Sequence, residues 1–168
     1  MDTLFTIIAI IAILFGFVVF FGAPYVPSKR RELERALDEL YPVGDADVLV
    51  DVGSGDGVVL REAAKRGVRR AVGYELNPIF VALSRLLSRK YKNVQVRLGN
   101  MWQMKLPDDT TVVYAFAVAR DSRKLARKMQ LEAKRLGRPL LLMTFGLPTL
   151  AGREPERRLG AHALYRFE

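Results

Sequence analysis

The hydropathy pattern divides the chain into two unlike parts. From Thr3 to Ser28 no residue is charged, and Leu4–Ala23 is apolar on every helical face. At ~1.5 Å per residue that run spans about 30 Å as a helix, the hydrocarbon thickness of a bilayer. The one-sided stripe of a surface helix is missing. Asp2 stands ahead of the run, and Phe20-Phe21-Gly22-Ala23 makes a poor cleavage site, which argues against a removable leader. Residues 1–23 are therefore expected to be a single transmembrane anchor. Pro24-Tyr25-Val26-Pro27 cannot continue a helix, and Ser28 suits the N-cap of a helix over Lys29–Tyr41. Leu33, Ala36, Leu37 and Leu40 share one face of it. Residues 24–44 thus read as a link and pre-helix.

From residue 45 onward, short apolar runs alternate with helical periods. Strands are expected at Asp47–Val52, Arg70–Glu75, Val94–Leu98, Thr110–Ala117 and Pro139–Phe145, with a terminal edge strand at His162–Phe167. Helices are expected at Val58–Arg66, from Pro78 to about Tyr91, and at Ser122–Leu136. Strands separated by helices imply an α/β fold, a doubly wound and mostly parallel sheet occupying residues 45–168. In such sheets a ligand sits beyond the carboxyl ends of the strands, where the strand order reverses. Gly53–Gly57, Glu75, Asn100 and Ala117–Arg120 would collect there.

Composition removes several chemistries. The 168 residues contain no cysteine and one histidine, His162. Disulfides, thiolate metal sites and cysteine nucleophiles are thereby excluded, and no metal site is expected. His162, at the chain end, is expected to be exposed or structural. Net charge is +9; all 27 basic residues lie at Lys29 or beyond, against 17 of the 18 acids, leaving that part at +10. Such a domain favours acidic partners, whether nucleic acid or anionic lipid. Lys29, Arg30 and Arg31 directly follow the apolar run, so by the positive-inside bias the domain is expected on the cytoplasmic side of a cell membrane.

The chemistry concentrates at Asp47-Val-Leu-Val-Asp-Val-Gly-Ser-Gly-Asp-Gly57, a strand running through a glycine turn into a helix. Absent side chains let backbone N–H groups approach a ligand, and a helix N-terminus adds partial positive charge. Glu75, ending the next strand, has the spacing of an acid that takes a ribose's hydroxyls. The glycines fall as Gly53-x-Gly55-x-Gly57, tighter than the dinucleotide fingerprint, and no Gly-Lys-Ser/Thr of a Walker loop follows. Asp51 and Asp56 would oppose a pyrophosphate. They suit the zwitterionic tail and hydroxyls of S-adenosylmethionine.

Val50-Asp-Val-Gly-Ser-Gly-Asp-Gly57 and Gly73-Tyr-Glu-Leu-Asn-Pro78 resemble the first two motifs of class I methyltransferases, with their Rossmann-like fold. With Tyr25-Val-Pro27-Ser28 before the first helix and Trp102 after the third strand, the chain most resembles the membrane-anchored ATP synthase c-subunit lysine N-methyltransferase family. The resemblance covers roughly residues 24–146 and implies cofactor binding by Asp51, Gly53, Ser54, Gly55 and Gly57, the three glycines holding the methionine part. It further implies Glu75 on the ribose and Asn77, Asn100 and Met101 on the adenosine side. Where the family tends to carry an acid, Asn100 offers an amide carbonyl to the adenine amino group. The activity implied is S-adenosylmethionine-dependent methylation of a protein lysine at or in the membrane. Tyr25 and Tyr114 are candidates to steer the amine, although Tyr114 also suits a core strand position; no catalytic base is assigned.

Alternatives are an RNA or small-molecule methyltransferase, or a non-catalytic S-adenosylmethionine-binding membrane protein. Nucleic acid is disfavoured because Arg120–Arg127 and Arg153–Arg158 show no interleaved aromatics for stacking bases.

Overall fold

The computed structural model describes residues 30–146 and 149–168, together with residues 3–6 and 8, which are helical. The rest of the Leu4–Ala23 run and the Tyr25–Ser28 link lie outside the described residues. Among those described, no helix is long and apolar enough to cross a membrane.

Seven strands form one sheet in the order β3-β2-β1-β4-β5-β7-β6. They are β1 (Val48–Val52), β2 (Arg70–Glu75), β3 (Val94–Leu98), β4 (Val112–Phe116), β5 (Leu140–Phe145), β6 (Arg157–Leu159) and β7 (His162–Phe167). The first five run parallel, and β7 inserts antiparallel between β5 and β6. Strand order reverses between β1 and β4, so the expected doubly wound α/β topology holds and a crevice opens at their carboxyl ends.

Burial on both faces explains why β1 is apolar throughout apart from Asp51. Side chains alternate across the sheet. Val50, Val52, Val113, Ala115 and Leu142 point to one face, where α4 (Ser122–Leu136) covers them with Leu125, Met129 and Ala133. Leu49, Val112, Tyr114 and Met143 point to the other. There α1 (Arg30–Arg35), α2 (Val58–Lys65) and α3 (Pro78–Ser88) pack.

The pre-helix belongs to this second core, with Leu33, Ala36, Leu37 and Leu40 fully buried. It runs as α-helix only to Arg35; Ala36–Leu40 widens into a π turn, closed by Tyr41 N–H donating to Ala36 O at 3.1 Å. Polar contacts hold it in place. Glu62 of α2, nearly buried, accepts from Lys65 and pairs with Arg30 at 3.0 Å, while Arg66 reaches Asp38 at 2.7 Å and the Glu34 carbonyl at 3.2 Å.

Three expectations need correction. The helix from Pro78 stops at Ser88, because Tyr91 N–H turns back to Ser88 O at 2.8 Å. β4 is shorter than Thr110–Ala117, because the Thr110 and Thr111 hydroxyls bond Pro107 O and Asp47 Oδ1. β7 is not an edge strand: β6, a three-residue hairpin partner too short to show a period, lies outside it. His162 is consequently buried, at 1% exposure, rather than exposed.

Gly57 shows how tightly the second face is packed. Its φ is +81°, and a Cβ there would stand 2.1 Å from Ser84 Oγ of α3. The third glycine of the turn therefore serves helix packing. Gly57→Ala is expected to lower stability by about 1–3 kcal/mol through overpacking and left-handed strain. Among the described residues, Ser84 Oγ has no hydrogen-bond partner. Adding Ser84→Ala should accordingly restore part of the loss while costing little by itself, as urea unfolding of both single variants and the double variant would read.

Candidate cofactor site

The turn after β1 is built by backbone pairing. Gly53 N–H and Ser54 N–H both donate to Tyr74 O, at 2.8 and 3.0 Å, which extends the β1–β2 ladder past the end of the strand. Gly57 N–H then closes onto Ser54 O at 2.8 Å, and Gly57 O accepts from Arg61 N–H to start α2. Gly53 has φ +88° and nothing within 4 Å of where a Cβ would lie. Its open side faces away from the packed core.

Glu75 links the turn to the next loop. One carboxylate oxygen accepts from Gly55 N–H at 2.9 Å, and the other accepts from Asn77 N–H at 2.8 Å. Asn77 in turn caps α3, accepting from Ile79 N–H at 2.9 Å, so its carbonyl is engaged in the helix start. The structure thus brings Gly55, Glu75 and Asn77 together across two loops. Gly99 N–H donates to Glu75 O at 2.9 Å, which draws the Asn100 loop alongside. Asn100 Oδ1 accepts from Trp102 N–H at 3.0 Å; a carbonyl oxygen has a second lone pair, so one acceptor site remains there. Met101 and Trp102 are half-buried, with Met104 packed beside them.

The other residues of the set behave differently. Ser54 turns inward, its buried Oγ lying against Gly73, where a Cβ would be 2.6 Å away; both its backbone groups are used within the turn. Asp56 pairs with Arg61 at 3.1 Å and faces that guanidinium. Asp51 is 3% exposed, and no donor among the described residues bonds its carboxyl group. Burial, with the charges of Glu75 and Asp56 nearby, pushes its pKa well above the usual carboxyl value. A buried acid without a donor beside an open glycine turn is the place for a cation such as an α-ammonium. Those residues fit the sulfonium amino acid's tail better than a phosphate. Among the described residues, no cluster of acids and histidine has the makings of a metal site.

Tyr114 is buried on the α1/α2 face, with its hydroxyl 3.1 Å from His162 Nε2. Burial lowers the His162 pKa, partly opposed by Glu32. Tyr25, the other amine-steering candidate, lies outside the described residues. Sequence reasoning missed an aromatic wall at the carboxyl ends of β4 and β5. Phe116 and Phe145 have ring centroids 6.0 Å apart, and Phe145 lies 4.9 Å from the His162 ring. The signal available was an aromatic at the last position of each of the two strands. Ala117, which follows Phe116, is buried, and its N–H donates to Phe145 O at 3.0 Å; Ala119–Asp121 then make an exposed turn at the mouth. A second feature joined only in space is Lys124 Nζ, 4.2 Å from the Trp102 ring centroid. It sets an aromatic beside the basic residues of α4.

Because the folded-state pKa of Asp51 is raised, the neutral acid stabilises the ligand-free fold fully below the usual carboxyl value. That stabilisation fades as pH climbs through the raised value. Asp51→Asn keeps the group neutral at every pH. Thermal unfolding of the ligand-free chain from about pH 4 to about pH 9 should show the variant gaining on the parent as pH rises.

Comparison with known proteins agrees with this geometry. The family model described as the ANTKMT methyltransferase domain matches residues 51–154, more than half of the chain. The adenine nucleotide translocase lysine N-methyltransferase of Mus musculus is 34% identical over 129 residues, covering 75% of this chain and 55% of that protein. A protein-lysine N-methyltransferase of Saccharolobus islandicus is 31% identical over 117 residues, covering 66% and 70%. The chain spans 48% of the ATP synthase c-subunit lysine N-methyltransferase of Xenopus laevis, at 33% identity. Among solved structures, an RNA methyltransferase from Salinibacter ruber in complex with S-adenosyl-L-homocysteine superposes with a TM-score of 0.68. It is 25% identical and covers 84% of this chain and 92% of its own. With a matching family model, a cofactor turn of the right geometry and this sheet order, the chain belongs to the ANTKMT family of S-adenosylmethionine-dependent methyltransferases.

Proposed function

We propose that the chain is a protein-lysine N-methyltransferase held at the cytoplasmic face of a cell membrane by residues 4–23, acting on a protein at or in that membrane. The observation that carries the enzyme reading is the Glu75 carboxylate seated on Gly55 N–H beside the buried Asp51. Relatives of about 31–34% identity named as lysine N-methyltransferases support the choice of acceptor. The uncharged Leu4–Ala23 run, followed by Lys29-Arg30-Arg31, supports the membrane placement.

The bound cofactor would supply an electrophilic methyl on a sulfonium, displaced in line by a neutral amine. The chain's part is positioning. Glu75 would accept from the ribose hydroxyls through its remaining lone pairs, and Asp51 would ionise against the ammonium. A lysine amine, ordinarily titrating near 10.4, reaches the site neutral more readily where water is sparse. Phe116 and Phe145 provide such a wall. The Tyr114 hydroxyl is turned to His162, which favours a positioning role for that pair behind the wall over direct contact with the amine.

A second reading has one specific observation in its favour. Trp102, Lys124 and Arg127 line one groove, so an aromatic does stand among basic residues, and the Salinibacter neighbour is an RNA methyltransferase. Lys124 already covers the Trp102 ring, however, and Lys128 is engaged by Met104 O at 2.8 Å and by Glu132. The protein acceptor is therefore preferred. Incubating native membranes and total RNA with methyl-labelled cofactor decides the matter: label in lysine is expected, and label confined to RNA overturns the reading.

Glu75→Ala should weaken S-adenosylmethionine binding by about 2 kcal/mol, roughly thirtyfold, through lost charge-assisted hydrogen bonds. Titration calorimetry reads this directly, and an unchanged dissociation constant removes the ribose assignment. The affinity of the parent chain should also rise with pH as Asp51 ionises. Asp51→Asn should flatten that rise.

A further inference from the structure

α3 is built inside out. Its buried positions are Val81, Ser84 and Ser88, and the two serine hydroxyls have no hydrogen-bond partner among the described residues. Its outward positions Ile79, Leu83, Leu86 and Leu87 follow the i, i+4, i+7, i+8 spacing of one helical stripe and are 38–57% exposed. Leu76 before the helix and Leu98 at the end of the edge strand β3 are exposed as well. The tight approach of Gly57 accounts for a small residue at Ser84. Nothing in the packing accounts for leucines in water.

Charge tells what covers them. From Leu76 to Pro107 the chain has no Asp or Glu, yet it carries Arg85, Arg89, Lys90, Lys92, Arg97 and Lys105. Arg89, Lys90, Lys92 and Arg97 are exposed around the apolar stripe. A docking protein that met this rim would have to be strongly acidic, whereas an anionic bilayer surface offers both a uniform negative potential and an apolar layer directly beneath it. An exposed apolar patch with a basic rim is the pattern of a helix lying in the headgroup boundary.

We propose that the outer face of α3, with Leu76 and Leu98, is a lipid-docking surface that seats the domain side-on against an anionic bilayer. Ile79 and Leu83 enter the acyl boundary, and the lysines and arginines reach headgroup phosphates. Since Asn77 caps this same helix and holds Glu75, docking sets the β2 side of the cofactor crevice next to the membrane. The proposal rests on the membrane reading above for bringing a bilayer within reach, but on different residues.

The absence of native cysteine allows each site to carry one fluorophore. The full chain, as Ile79→Cys, Leu83→Cys or Leu86→Cys, is reconstituted into vesicles of phosphatidylcholine and phosphatidylglycerol. Leu131→Cys on the outer side of α4 is the reference. The α3 labels should lose quenching by aqueous iodide and gain quenching by brominated acyl chains; the label at 131 should do neither. Vesicles of phosphatidylcholine alone should return the α3 labels to iodide. Using three positions guards against one variant that fails to fold. A chain that floats with the anionic vesicles while its α3 labels stay open to iodide overturns this proposal alone. One that does not float overturns the anchor reading with it. Iodide protection without vesicles, rising with protein concentration, points to a second copy and overturns the lipid assignment.

Discussion

The Glu75 carboxylate is the contact on which the site depends. It accepts from Gly55 in the turn after β1 and from Asn77 at the start of α3, so two loops distant in sequence share one charged acceptor. Hydrogen bonds to an ionised carboxylate are worth roughly twice neutral ones, and both donors here are backbone groups of fixed position. The turn is thus shaped before any ligand arrives. A ribose diol placed over Glu75 would meet oxygens whose orientation is already set, which is the advantage of a preorganised site.

Asp51 works in the opposite sense. Its carboxyl group is buried, meets no donor among the described residues and lies near two other acids, so the ligand-free fold disfavours a charge there that a cation would stabilise. Glu75 stabilises the turn without the ligand, whereas Asp51 makes the turn incomplete without it. The two acids together explain why a zwitterionic tail suits this turn and a pyrophosphate does not.

Much of this was legible in order along the chain. The strands β1 to β5, the helices α2 and α4, and the glycine turn are local patterns, each decided by residues a few positions apart. The meeting of Gly55 with Glu75 was also legible, because a parallel β-α-β unit can place those positions only at adjacent strand ends. What escaped was set by distant partners. The inward turn of the Ser54 hydroxyl is set by Gly73, whose missing side chain leaves room for it. His162 looked peripheral until β6, a strand of three residues, covered β7.

By itself, then, the sequence determined the fold class and the glycine turn, and it singled out Glu75 as the acid beside that turn. Periodicity and glycine spacing are properties of neighbouring residues, and backbone sterics act over the same short range. Only the tertiary structure decided the raised pKa of Asp51, the aromatic wall at the ends of β4 and β5, and the outward leucines of α3. Each of those depends on which surfaces end up facing one another. The helix from Pro78 illustrates the difference. The sequence announced that a helix starts at Pro78, whereas packing against Gly57 decided that its serines turn inward and its leucines outward.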